Sequence, residues 1–308
     1  MVDVASAMSH RYHQPLHCPK IQHGQQHHTA LHSHSSNCSS AVVPDVMISR
    51  RNIDSGCLVA TITVSNPQKL NIVSSEVLDK LISACAELSM EPSLRAVVLE
   101  GGHTTQGKSP AFIGGADIKE MNQLSSSKEA EAFISRIHYA CKALRDLPAP
   151  VIARIDGYCL GAGLEIAAAC DLRIATERSV FGMPEVNVGI PSVVEAALLP
   201  GLIGMGRTRR LLYLAENINA VTAERWGLVE RLVASRQDLD EAATEWISRI
   251  ARAGPNAMAS QKRLTQTWEN VSVEDGITAG VRAFSECYHD GGQEPKSFMK
   301  AFTSRGRS

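Results

Sequence analysis

The chain has 308 residues, enough for one large domain or two ordinary ones. Apolar residues make up 44% and charged residues 20%, a globular composition that excludes a mostly disordered or fibrous chain. Lys and Arg number 31 against 32 Asp and Glu, and the resulting net charge of -1 offers no electrostatic footprint for nucleic acid or an acidic membrane face. No apolar run approaches the roughly 18–20 residues of a bilayer span, so no membrane association is expected. Eight cysteines, at 18, 38, 57, 85, 141, 159, 170 and 287, include no C-x-x-C pair. With no secretory apolar segment at the N-terminus, they are expected to be free thiols of an intracellular protein. Cytosol, mitochondrion and peroxisome all stay open.

Residues 1–45 differ from everything after them. Eight of the eleven histidines lie here, mixed with Ser, Gln and Pro, and no apolar period builds a core. A disordered His/Ser-rich tail is expected. His27, His28, His32 and His34 invite a metal, but no carboxylate or thiol pattern accompanies them, and no metal is expected. The tail is acid-poor, as transit peptides are, yet Arg11 is its one arginine before residue 46. The stretch from Lys20-Ile21 to His27-His28 distantly resembles an N-terminal peroxisomal signal, with its last position wrong. Arg307-Ser308 is not an S-K-L address.

From residue 46 the pattern becomes dense, and 46–308 reads as one domain. Asp45–Arg51 and Cys57–Val64 read as paired strands. Ser74 or Ser75 caps a helix whose Val77, Leu78, Leu81, Ile82, Cys85 and Leu88 keep helical spacing. A buried strand at Arg95–Leu99 leads to a Gly-rich loop over 101–110. A helix follows at about 128–146, then a strand at Val151–Ile155, a helix at about 162–169 and a strand at Leu172–Ala175. Beyond 193 the chain reads as helical, over 193–203, 207–214, 222–227, 238–253, 256–268 and 274–288. Interleaved strands and helices with a helical tail indicate an α/β core.

Three local features bear on chemistry. In Phe112-Ile113-Gly114-Gly115-Ala116-Asp117 two glycines at a strand-to-helix junction let a ligand approach the backbone, although an ordinary tight turn has the same composition. In Gly157-Tyr158-Cys159-Leu160-Gly161-Ala162-Gly163-Leu164-Glu165 a strand enters a small-residue turn and then a helix, leaving free N–H donors at a positive helix end. A dinucleotide loop shares half of this pattern but needs a third glycine. In Phe181-Gly182-Met183-Pro184-Glu185 a carboxylate sits in an apolar setting. A helix of ~8 residues descends ~12 Å and a strand of ~6 returns ~20 Å, so Glu165 and Glu185 can face one pocket. Spacing alone equally permits two solvated glutamates.

Taken together, AFIGGADIKEM (111–121), PVIARIDGYCLGAGLEIAAACDLRIA (150–175) and FGMPEVNVGIP (181–191) resemble, in order and spacing, the signature regions of the enoyl-CoA hydratase/isomerase (crotonase) superfamily. The resemblance covers about residues 46–305. It implies a spiral of repeated ββα units with a helical C-terminal region, about 238–308, that builds homotrimers or homohexamers. It implies an acyl-CoA thioester substrate and no separate cofactor. Gly114 and Ala162 match the backbone donors to the thioester oxygen, and Gly115, Ala116 and Asp117 the loop beside the CoA. Glu165 and Glu185 match the two carboxylates that hold one water, with Glu185 as proton donor and Glu165 activating the water. The activity implied is hydration of a 2-enoyl-CoA to a 3-hydroxyacyl-CoA. Isomerisation through Glu185 alone, or a silent CoA-binding scaffold, is the alternative.

Two departures from the family pattern stand out. Hydratases usually have glycine where Ala162 stands, and their Gly-rich stretch is replaced after Pro191 by Ser192-Val193-Val194-Glu195-Ala196-Ala197. Glu195 is expected to be a first-turn helix glutamate favoured by the dipole, with a third cleft carboxylate as the sharper reading. His103 reads as surface, and Arg207, Arg209 and Arg210 as a solvated basic face. Gly201–Arg207 reads as a helix–helix connection rather than a nucleotide loop.

Overall fold

The computed structural model describes residues 43–53 and 56–305. The expected disorder of the N-terminal tail, its histidine group, Cys18 and Cys38 lie outside those residues.

The strands of the first sheet are β1 (Asp45–Ile53), β2 (Cys57–Ser65) and β3 (Leu94–Gly101). The short β4 (Ala111–Ile113) follows, and then the chain alternates between two sheets: β5 (Val151–Ile155), β6 (Tyr158–Leu160), β7 (Leu172–Thr176), β8 (Val180–Gly182), β9 (Ile218–Asn219) and β10 (Arg231–Val233). One sheet runs β1-β2-β3-β5-β7-β10 and the other β4-β6-β8-β9. Only the β1–β2 and β8–β9 pairs are antiparallel. From β3 to β8 each turn of chain gives one strand to each sheet before a helix returns it, whereas β1 and β2 share the first sheet and β8 and β9 the second. This is the expected spiral of ββα units.

The helices between strands are α1 (Ser75–Ser89), the single turn α2 (Ile118–Met121), α3 (Ser127–Asp146) and α4 (Ala162–Ala169). Ser74 and Ser126 cap α1 and α3 by accepting from Val77 and Glu129 N–H, as the sequence pattern requires. The apolar stripes that predicted α1 and α3 face one core: Val77, Leu81 and Leu88 meet Phe133, Ile137 and Leu144 there. Strand alternation serves both faces of the large sheet. Ala60, Ile62 and Val64 join that core, while Val59, Ala96 and Val98 turn to a second one.

Then come α5 (Leu199–Ile203), α6 (Met205–Leu214), α7 (Ala220–Trp226), α8 (Arg236–Ala251), α9 (Pro255–Trp268), α10 (Val273–Glu286) and α11 (Gln293–Arg305). The second core is closed by Leu239, Ala242, Ala243 and Ile247 of α8. Buried Lys262 ties α9 down, donating to the Leu144 and Ala149 carbonyls at 3.1 Å and pairing with Asp171 at 2.8 Å. Expectation and structure differ over 193–203, where a 3-10 turn (Val194–Leu198) precedes α5. Gly204, at φ 79°, makes the expected helix–helix break between α5 and α6. The six cysteines among the described residues are free thiols. No helix among the described residues is long and apolar enough to cross a membrane.

Candidate active site

The three motifs converge where α4 begins. Gly163 packs so tightly under the end of β4 that a Cβ would run into the Ile113 carbonyl. The turn before α4 is equally close to Glu185: a Cβ on Gly161 would lie 2.7 Å from the Glu185 Oε1, and Gly161 sits at φ 52°. Glycine is required at both places for different reasons, contact at one and conformation plus contact at the other. The α4 start therefore lies between the 114–117 loop and the Glu185 turn. Its N–H groups at Leu164 and Glu165 close back onto Gly161, whereas the Ala162 N–H has no backbone partner among the described residues.

The 114–117 loop is tethered along one side. Gly114 N–H donates to Leu70 O, Val73 N–H to Gly115 O, and Asp117 N–H to Val73 O, each at 2.9 Å. Parallel pairing of Ala116 with Val73 sends the bonds through its neighbours, so the Ala116 N–H turns the other way. The assignment of Gly114 as a free donor is corrected on this point, because its N–H is already engaged. Among the described residues the Ala116 N–H makes no backbone hydrogen bond. Gly115, at φ 128°, makes the bend, and Asp117 caps α2 through Lys119 N–H and pairs with Lys69 at 3.1 Å.

Asn71 was not singled out from sequence. It is fully buried at φ 56°, accepts from Asn66 N–H, and donates to the carbonyls of Gly102 and Ala111 at 2.8 Å. It thereby fixes the segment on which the donor loop hangs. An Asn at a left-handed turn was the available signal.

Glu165 is in the first turn of α4 and only 4% exposed. Burial, then the charges of Glu185 and Glu195, push its carboxyl up to about 8, against the pull of the Ala196 and Val193 N–H groups. Glu185 begins the 3-10 turn after β8. It is less enclosed; burial raises it, while the Ser192 hydroxyl, donating to Oε2 at 2.8 Å, lowers it. The pair is therefore unequal. Both carboxyls are pushed toward their protonated forms, Glu165 more strongly because it is the more deeply buried.

Glu195 is in the first turn of the 3-10 segment, as expected, but it is buried there. It is 7% exposed, its Oε1 lies 2.8 Å from His138 Nδ1 of α3, and its Oε2 has no hydrogen-bond partner among the described residues. Val194 before it is held at φ 40°, a conformation that β-branched residues avoid. His103 is exposed, as expected. Arg207, Arg209 and Arg210 are exposed, as expected; Arg207 and Arg210 also stack over Trp226, and Arg207 donates to its carbonyl at 2.9 Å.

Residues 55–306 match the family model described as enoyl-CoA hydratase/isomerase. The chain belongs to that family. It is 32% identical to the short-chain-enoyl-CoA hydratase of Clostridium acetobutylicum over 80% of its own length and 92% of that protein's. It is 30% identical to a crotonyl-CoA hydratase of Syntrophomonas wolfei over 81% of its length and 93% of the relative. Among solved structures, the enoyl-CoA hydratase of Bacillus anthracis superposes with a TM-score of 0.75 at 30% identity, covering 84% of this chain and 96% of that one. Pseudomonas aeruginosa DspI gives 0.76 at 29% identity, with 84% and 94% covered. The crotonase fold is shared with these solved structures.

The Glu165 environment has a stability signature. Its unfolded-state carboxyl titrates near 4.5 and its folded one at about 8. Between those values the folded state holds the extra proton, so stability falls as pH rises through that window. The cost at the top of the window is on the order of 4 kcal/mol. Glu165→Gln should therefore be more stable than wild type in urea unfolding, with an advantage that grows from pH 5 to pH 8.5. A difference that is independent of pH would contradict the buried-proton assignment.

Proposed function

We propose that the protein hydrates a 2-enoyl-CoA to a 3-hydroxyacyl-CoA. The observation that carries the reading is a pair of carboxylates of unequal proton affinity set beside two free backbone donors. Addition of water across C2=C3 of a conjugated thioester puts enolate-like charge on the thioester oxygen. The N–H groups of Ala116 and Ala162 are suited to receive it, and one such donor is worth ~3–4 kcal/mol in the transition state. The Ala162 N–H also stands at the positive end of α4.

The carboxylates divide the proton work. One water bonded to both Glu165 and Glu185 lets a single proton serve the pair. In the resting site that proton is on Glu165. An acyl-CoA filling the cleft removes water from the more open Glu185 and raises its proton affinity further. The proton then moves to Glu185, which delivers it to C2, while Glu165 accepts one from the water that attacks C3. Ser192, bonded to Glu185 in place of the usual glycine, holds that carboxyl toward the cleft. Chemistry and proton transfer both come from the chain's own groups and the substrate water.

We also infer that the working form is a homotrimer or a pair of trimers. Val273, Ile277, Val281 and Phe284 are exposed along one stripe of α10, and Phe298 and Phe302 are exposed on α11. A stripe of this kind is characteristic of an interface.

Two measurements follow. Crotonyl-CoA should lose its enoyl absorbance with the wild type, and Glu165→Gln should slow hydration by ~10²–10⁴ while any 3-enoyl to 2-enoyl isomerisation falls less. A wild type that isomerises but does not hydrate would make the protein an isomerase. Sedimentation should give three or six chains per particle, and Val281→Glu with Phe284→Glu should dissociate it. A monomeric wild type would overturn the assembly.

A further inference from the structure

The turn that carries the donor loop is held in a conformation the backbone avoids. Leu70 (φ 54°, ψ 36°) and Asn71 (φ 56°) are both left-handed, although neither is glycine. Left-handed residues normally occur singly, and strain of this kind persists only where the surroundings over-determine it. Here the Asn71 side chain supplies that constraint. It is fully buried and makes three bonds of 2.8 Å: Oδ1 accepts from the Asn66 N–H, and Nδ2 donates to the carbonyls of Gly102 and Ala111. Both amide hydrogens are thereby used. The Asn71 backbone N–H closes the turn on Asn66 O at 3.0 Å. One side chain thus joins the turn to the exit of β3 and to the first residue of β4.

The effect reaches the cleft in two steps. The left-handed turn points the Leu70 carbonyl at Gly114, whose N–H donates to it at 2.9 Å. The approach is so close that a Cβ on Gly114 would itself lie 2.9 Å from that oxygen. Farther along, Val73 pairs with Ala116, donating to Gly115 O and accepting from the Asp117 N–H. The bonds on this edge use the N–H groups of Gly114 and Asp117 and leave that of Ala116 on the opposite one. The register between the two segments therefore decides which N–H a bound thioester can meet. A slip of one residue would engage Ala116 and release a neighbour.

We propose that Asn71 is a positioning residue for the reaction: by fixing the Leu70–Asn71 turn against β3 and β4, it sets the register that makes Ala116, and not Gly114, the donor to the thioester oxygen. The proposal deepens the hydratase reading and rests on it for the substrate and for the role of Ala116. Asn71 is buried beneath the turn and acts only through Leu70 and Val73. Its residue type is specific to this task. Glycine accepts the left-handed backbone but brings no amide. Aspartate tolerates that backbone and can accept from Asn66, but it has no N–H for the two carbonyls. Charge on the thioester oxygen is greatest in the transition state, so a displaced donor harms turnover far more than binding.

The test compares Asn71→Gly and Asn71→Asp with wild type in the full chain, below their melting temperatures and with circular dichroism as the folding control. On crotonyl-CoA each should lose ~10²-fold in kcat with KM within about threefold. In the vibrational difference spectrum of bound crotonyl-CoA, the thioester carbonyl stretch, lowered in wild type, should return at least about halfway to its frequency in water. Leu239→Ala, in the core closed by α8, controls for lost stability alone: it should melt earlier yet keep the wild-type kcat and carbonyl stretch. Folded Asn71 variants with wild-type kcat and stretch would overturn the proposal, as would the same spectral change in Leu239→Ala. Failure of both Asn71 variants to fold would make Asn71 a folding residue and overturn its positioning role. A wild type that leaves the carbonyl stretch unshifted would remove the donor assignment and this proposal with it. A wild type that polarises the carbonyl but does not hydrate crotonyl-CoA would sink the hydratase reading alone, and the spectral change in the Asn71 variants would then uphold the positioning role.

Discussion

The start of α4 is where this structure concentrates its constraints. A methyl at Gly163 would occupy the Ile113 carbonyl, and a methyl at Gly161 would press on Glu185. Those two close approaches bring a helix N-terminus, a tethered backbone loop and two carboxylates within reach of one bound molecule. None of these parts is reactive alone. The helix supplies an N–H and the positive end of its dipole at Ala162. The loop supplies the Ala116 N–H because its other side is bonded to Leu70 and Val73. Packing density at two glycines thus sets the electrostatics of the whole cleft.

Dryness does the remaining work. Glu165 is raised to about 8 chiefly because it is buried, and its carboxylate neighbours add to the effect. Burial in an apolar wall is the direct way to raise a carboxyl that far. The cost is paid in stability at alkaline pH. Close by, the turn after Pro191 has a different character. Where the family pattern has glycines, this chain places a hydroxyl on Glu185, a strained valine and a third buried carboxylate tied to a surface histidine.

Much of this was legible in the sequence. The stripes of α1 and α3 and the alternation of β2 are strong periodic signals, and each forms where its pattern puts it. The strands of the second sheet mostly have three residues, too few for any period to show, so the two-sheet spiral came from the family resemblance. The α11 helix was missed because Gln293–Arg305 mixes Pro, Ser and Lys into a weak stripe. In the site, Glu165, Glu185 and Ala162 were named from motifs. The donor in the first loop was placed at Gly114, because glycine content reveals flexibility but not which N–H is already bonded. That depends on Leu70 and Val73, some forty residues away in sequence. Glu195 reads as a helix-end residue for a similar reason: nothing local reveals His138.

The central claim is that Ala116 and Ala162 hold the thioester oxygen. Its most direct test is the vibrational difference spectrum of an enoyl-CoA bound to the protein, read at the thioester carbonyl. Two preorganised donors should polarise that bond and move its stretch to lower frequency than in water, and Ala116→Pro, which removes one N–H, should reverse much of the shift in a folded variant. A bound thioester whose carbonyl stretch matches that of the free molecule would contradict the account.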